Sequence, residues 1–234
     1  VFTCEGGYDY IVEQGWEGRI PRAKIHYINN GVDLAVFDEN RARYTVQDPD
    51  LEDPSVFKVV YTGSIRKVNH LGLLLDAAKE VTDPRVKFLI YGDQRAALEQ
   101  RVREEEISNV VFKGKVEKKY IPSIVSRADI NLIHGGDQGK ELFRFGISPN
   151  KMFDCFAAGR PILMDLPAKY NPVEQFQAGI CLSSVSEIPA AIRQIQVLSP
   201  QAYESLCGNA RKAAARFDFR VLTQELMEIL EKRG

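Results

Sequence analysis

Residues 57–91 read FKVVYTGSIRKVNHLGLLLDAAKEVTDPRVKFLIY. The two ends are short, almost unbroken apolar runs rich in β-branched and aromatic residues, while the middle carries apolar residues at helical spacing over 71–81. Strand, helix, strand is a βαβ unit, which pairs its strands in parallel. The same alternation continues outward: a helix over 94–106, NVVFKG, a helix over 118–127, DINLI, a helix within FGISPNKMFDCFAAGRP (145–161), RPILM, a helix after Pro172, and GICLS. Strands that are apolar throughout are expected where both faces carry helices. The predicted fold is α/β, a doubly wound Rossmann-like parallel sheet, with helices filling 186–232. Ser186 is a candidate cap there, and Leu222, Leu226, Ile229 and Leu230 form an apolar docking stripe. Upstream, AKIHYINNGVD reads as a strand closing in an Asn-Gly turn, and 38–54 as a surface loop or linker. There is no internal repeat.

Composition narrows the function classes. With 234 residues and 44% hydrophobic content the chain buries a sizeable core. Its 31 Lys and Arg balance 32 Asp and Glu, so no global field draws it to nucleic acid or an anionic membrane. No apolar run reaches the roughly 18 residues of a spanning helix. Cys4, Cys155, Cys181 and Cys207 are scattered, without CxxC, and only His26, His70 and His134 offer imidazole, which argues against structural zinc and for reduced intracellular thiols. The first residue is Val rather than Met, so an N-terminal part of the natural protein is expected to precede it. GxSxG, Walker A, HExxH and a Cys/His nucleophile pair are all absent.

In an open parallel sheet the loops that matter follow the strands' carboxyl ends. In 145–161, Ser148 suits an N-cap and Pro149 the first helical position, so backbone N–H groups near Asn150 and Lys151 would bind an anion, with Asp154 accepting from ribose hydroxyls. The alternative is an ordinary punctuated helix with Met152, Phe153, Phe156 and Ala157 as its core face. TGSIRKVNH combines Gly63, which permits close backbone approach, with Arg66, Lys67 and His70 for a diphosphate; a solvated turn is the other reading. Gly92 follows the second strand, and Lys115 and Val116 after Gly114 could face a planar base or simply form a tight turn. In HGGDQGKELFRFG (134–146), Lys140, Glu141 and Arg144 are candidates for sugar hydroxyls or phosphate, or part of a plain surface loop.

Taken together, INNGVD, YTGSIRKVNHLGLLLDAA, FLIYGD, NVVFKGKV, ADINLI and FGISPNKMFDCFAAGRPIL resemble, over residues 25–234, the C-terminal nucleotide-sugar domain of a GT-B glycosyltransferase, specifically family 4. Residues 1–24 resemble the closing remnant of the N-terminal acceptor domain, and EGGYDYIVEQGW resembles transferases of bacterial surface polysaccharides. The resemblance implies a retaining transfer from a nucleoside diphosphate sugar, UDP-linked, to a glycan or lipid-linked hydroxyl, with no cofactor and no metal. It implies a cytoplasmic location, peripheral at the inner membrane, and no nucleic-acid partner. Such enzymes carry two acidic residues eight positions apart; here Asp154 stands at the second and Gly146 at the first, leaving the sugar to backbone around Gly146, Ile147 and Ser148, or to Glu141. Family cations on the diphosphate fall on Ser64 and His70, so Arg66, Lys67 and Lys151 are the catalytic candidates. The alternatives are a nucleotide-binding module without transferase activity and a GT-B-fold nucleotide-sugar epimerase.

Overall fold

The computed structural model describes residues 1–65, 69–93, 96–135 and 140–232. Six parallel strands lie in the order β3-β2-β1-β4-β5-β6. They are β1 (Phe57–Thr62), β2 (Val86–Tyr91), β3 (Val110–Gly114), β4 (Ile130–Ile133), β5 (Ile162–Met164) and β6 (Gly179–Cys181). The unbroken apolar runs of β1 and β2 pair without a slip, from Phe57 opposite Val86 to Thr62 opposite Tyr91. β1 also pairs with β4, where Val59 faces Ile130.

Both faces are covered, as the doubly apolar strands require. Val59 and Tyr61 point to a core shared with α4 (Leu71–Lys79) and α10 (Ile188–Gln196), through Leu74, Leu75, Ile188 and Ile192. Val60 points the other way, toward Ile124 of α6 (Ile121–Ser126) and Leu51. On that second face α8 (Asn150–Ala158) inserts Met152, Phe153 and Phe156 against β4, β5 and the small residues Ala210, Ala213 and Ala214 of α11 (Pro200–Arg216). Gly159 ends α8 in the left-handed conformation, φ 63°, where a side chain would be strained and would also meet Arg211.

Several local expectations are corrected. No strand forms over 24–33; Tyr27 makes one bridge to Phe2, and Asp33 instead caps α2 (Leu34–Arg43) by accepting from the Val36 N–H at 3.0 Å. The stretch 38–54 is therefore half helix, and α3 (Pro49–Glu52) follows. Ser184, not Ser186, is the capping hydroxyl before α10, because its side chain accepts from the Ser186 N–H. In the C-terminal helix α12 (Phe219–Glu231) only Leu222 of the apolar stripe is buried; Leu226 and Leu230 are 36% and 57% exposed. Residues 1–24 pack onto the body: the Phe2 N–H donates to the His26 carbonyl at 2.8 Å and the Gly6 N–H to the Phe145 carbonyl at 2.9 Å. Among the described residues no helix is long and apolar enough to cross a membrane.

An ion network holds the 38–54 stretch to the sheet. A one-residue irregularity between β2 and β3 leaves Lys113 out of register, and its ammonium reaches Asp48 at 2.7 Å and Asp50. Burial by itself would raise the Asp48 carboxyl, but hydrogen bonds from Lys113 and the Tyr91 hydroxyl outweigh it and hold the group below its ordinary value. A carboxyl depressed in the folded state stabilises the fold above the unfolded carboxylate range and loses that contribution as pH falls through the folded value. Lys113→Ala, which leaves Asp48 buried without its cation, is expected to cost about 2 kcal/mol at pH 7. In urea titrations the gap between variant and wild type should shrink below about pH 4, where carboxyls protonate.

Candidate functional site

The strand order reverses between β1 and β4, so their connections leave in opposite directions and open a crevice beyond their carboxyl ends. Tyr61 is buried at the end of β1, with its hydroxyl reaching the crevice floor. That hydroxyl donates to the Ser64 carbonyl at 3.2 Å and accepts from Lys151 Nζ at 3.1 Å, while the ammonium also lies 4.3 Å from the ring centroid. Lys151 belongs to the first turn of α8, so this contact clips the helix start to β1. Gly63 lies close beneath it: a Cβ there would be 3.2 Å from the Tyr61 hydroxyl and 3.3 Å from Lys151 Nζ, tight enough to push the clip by a few tenths of an ångström. Gly92 is necessary for closer reasons: its Cβ would lie 2.3 Å from the Gly63 carbonyl oxygen.

Gly63, Ser64, Gly92, Lys115 and Val116 come together around one cavity of about 190 Å³, with Tyr91, Asp93 and Ile121 as further walls. Asp154 faces a neighbouring cavity of about 450 Å³ with Asn30, Asn150 and Lys118. One segment, 115–122, supplies walls to both. Burial raises the Asp154 carboxyl to about 6, with Lys118 as the opposing charge among the described residues. Among the described residues it has no hydrogen-bond donor and no ion pair, so its oxygens stay open to the cavity.

Gly146, Ile147 and Ser148 sit elsewhere. They line an apolar cavity of about 470 Å³ with Phe2, Tyr10, Phe145 and Leu166, and Gly146, at φ 112°, faces Cys4. Ser148 does not cap α8: its hydroxyl accepts from the Asn30 N–H at 3.3 Å, and Pro149 holds the cap position without a side-chain bond. Among the described residues no side chain caps the helix start. Glu141, in α7 (Lys140–Phe143), is 89% exposed and pairs with Arg144 at 3.4 Å, and Arg144 is drawn toward Glu13. His70 contributes its backbone, in the left-handed region at φ 47°, as the cap of α4. Arg66 and Lys67 lie outside the described residues.

Two residues not assigned a site role above become prominent in the fold. His134 follows β4 and Asp165 follows β5, and their side chains form a fully buried pair. The available signal was a polar residue directly after each of two apolar strands, LIH and LMD.

Residues 46–137 match the family model for glycosyl transferases group 1. That span holds β1 to β4 and the loops around the smaller cavity. Among solved structures the chain is similar to Anabaena HepE in complex with UDP, with a TM-score of 0.74 and 15% identity, over 98% of this chain and 62% of that one. A glycosyltransferase from Rickettsia africae matches equally, with TM-score 0.74, 15% identity and the same 98% and 62% coverage. Sucrose-phosphate synthase from Thermosynechococcus elongatus follows at TM-score 0.67 and 17% identity, over 94% and 56%. The fold is therefore Rossmann-like, of the kind found in GT-B glycosyltransferases, and the chain spans about three fifths of the length of the first of these proteins. No curated protein sequence matches it.

Asp154 generates a test of its own. A carboxyl raised in the folded state stabilises below the unfolded carboxylate range and loses that contribution as pH rises through about 6. Asp154→Asn, which keeps the shape without the charge, should therefore raise stability at pH 8 by about 2 kcal/mol, with the gain vanishing near pH 4. Urea unfolding at the two pH values measures it; no gain at pH 8 would mean that the carboxylate is already neutralised by a partner.

Proposed function

We propose that this chain is the donor-binding half of a retaining glycosyltransferase of family 4, transferring a sugar from a UDP-linked donor to a glycan or glycolipid hydroxyl in bacterial polysaccharide synthesis. In this reading residues 25–234 are the donor domain, and residues 1–24 close an acceptor domain that precedes them. The protein works in the cytoplasm, peripheral to the inner membrane where a lipid-linked acceptor resides. The observation that carries the reading is the α8 start. Lys151 is held over Gly63 at the switch point, and the open carboxylate of Asp154 lies three residues further along, on the same helix face.

This reading assigns each part of a nucleoside diphosphate sugar to residues of the chain. The base enters beside Gly92, Lys115 and Val116; the ribose hydroxyls donate to Asp154; the diphosphate meets the N–H groups at the α8 start and Lys151. Arg66 and Lys67 are assigned to the diphosphate by their sequence position alone, and the sugar extends past the α8 start toward the cavity that Gly146, Ile147 and Ser148 line. As the glycosidic bond breaks, negative charge grows on the departing diphosphate, and fixed positive groups stabilise that state more than the bound donor. The group 1 match and the UDP and UDP-glucose held by the Anabaena structures support a uridine nucleotide sugar.

Calorimetry tests this directly. UDP should bind at least about tenfold tighter than uridine, since one charge-assisted hydrogen bond is worth roughly 1.5–3 kcal/mol. Lys151→Ala should remove most of that preference, and in a version extended upstream it should slow transfer more than it weakens binding. The chain as given should bind labelled donor without transferring it. Equal affinity for UDP and uridine would overturn the phosphate assignment, and isomerised donor would point to an epimerase.

A further inference from the structure

The buried pair at the ends of β4 and β5 is used by none of these roles. His134 Nδ1 meets one Asp165 oxygen, and the other Asp165 oxygen accepts from the Gly135 N–H at 3.1 Å. His134 Nε2 lies 3.1 Å from the His70 carbonyl oxygen. Each ring nitrogen thus faces an oxygen acceptor, and the ring bridges the Asp165 carboxylate and the His70 carbonyl. The side chain is wholly buried, so it touches no ligand itself.

What it touches is a strained backbone. His70 adopts the left-handed conformation, φ 47° and ψ 35°, which residues with a Cβ rarely visit unless their surroundings impose it. Its carbonyl accepts twice, from His134 and from the Leu73 N–H at 2.8 Å in the first turn of α4. The neighbouring Asn69 amide donates back to the Ser64 carbonyl and, at 3.2 Å, to the Ser64 hydroxyl. That same Ser64 carbonyl takes the Tyr61 hydroxyl hydrogen, and Tyr61 holds Lys151. Polar contacts therefore run from Asp165 through His134, His70, its neighbour Asn69, Ser64 and Tyr61 to Lys151.

We propose that His134, oriented by Asp165, is a positioning residue that fixes the His70 carbonyl and thereby sets Ser64 and Lys151 for the diphosphate of the donor. The inference rests on the donor-site reading above. It predicts a selective defect: the diphosphate loses its aligned partners, whereas the nucleoside, seated at Gly92, Lys115, Val116 and Asp154, does not.

The experiment compares UDP and uridine binding in wild type, His134→Leu, His134→Gln and Asp165→Asn, with thermal unfolding of each. His134→Leu should weaken UDP about tenfold, the effect of one hydrogen bond lost from the positioning chain, and leave uridine within about twofold. His134→Gln keeps an N–H donor able to reach the His70 carbonyl and should recover much of the UDP affinity. Asp165→Asn, which loosens the orientation only, should fall between them. If His134→Leu does not fold, the other two variants still read the ratio. An unchanged UDP-to-uridine ratio in the folded variants, or a Gln variant no better than Leu, overturns the positioning role. A wild type that does not distinguish UDP from uridine overturns the donor-site reading and this inference with it.

Discussion

Everything else in this molecule hangs on the reversal of strand order between β1 and β4. A parallel sheet needs crossover helices, and when successive crossovers leave in opposite directions no helix covers the carboxyl ends where they part. The gap follows from that topology, and polar side chains that succeed the apolar strands gather in it. Tyr61, Gly63, His134 and Asp165 all occupy that edge. The α8 helix then closes one side of it, with its first turn clipped to Tyr61 by Lys151.

Two aspartates show how environment divides roles among identical side chains. Asp48 and Asp154 both lose water, and burial pushes both carboxyls upward. At Asp48 the hydrogen bonds from Lys113 and Tyr91 reverse the effect, which makes it a fastening between the 38–54 stretch and the sheet. At Asp154, among the described residues, Lys118 alone opposes burial, so the group stays raised and without a hydrogen-bond partner beside a cavity. An acceptor that costs stability and faces open space is the kind of group that perturbed-pKa arguments associate with functional sites, and it is the ground for proposing Asp154 as a ligand residue.

The strands were legible because burial on both faces leaves a strong local mark. FKVVYT and VKFLIY became β1 and β2 with the bounds read from the sequence. AKIHYINNGVD misled because its extended backbone meets only isolated partners, Tyr27 bridging Phe2 and Val32 bridging Asp218, so no ladder forms. The 38–54 stretch looked like a loop because its charges are those of a solvated face, yet Asp48 and Asp50 turn inward to a lysine 60-odd residues away in sequence. Ser148 illustrates the same limit on a smaller scale, since its hydroxyl was free to cap α8 until the Asn30 backbone claimed it.

The sequence by itself determined the layered α/β fold, the parallel sense of the strands, and the identity of the segments that converge beyond their carboxyl ends, Gly63–Ser64, Gly92, Lys115–Val116 and the α8 start among them. These follow from periodicity, turn residues and strand order, which are local or cumulative along the chain. Only the tertiary structure decided which side chains of those segments meet. It separated Gly146 to Ser148 from the Gly63 cavity, turned Glu141 outward, joined Lys151 to Tyr61, and buried His134 against Asp165. Such pairings depend on distances across the sheet between residues tens of positions apart, and no local pattern records them.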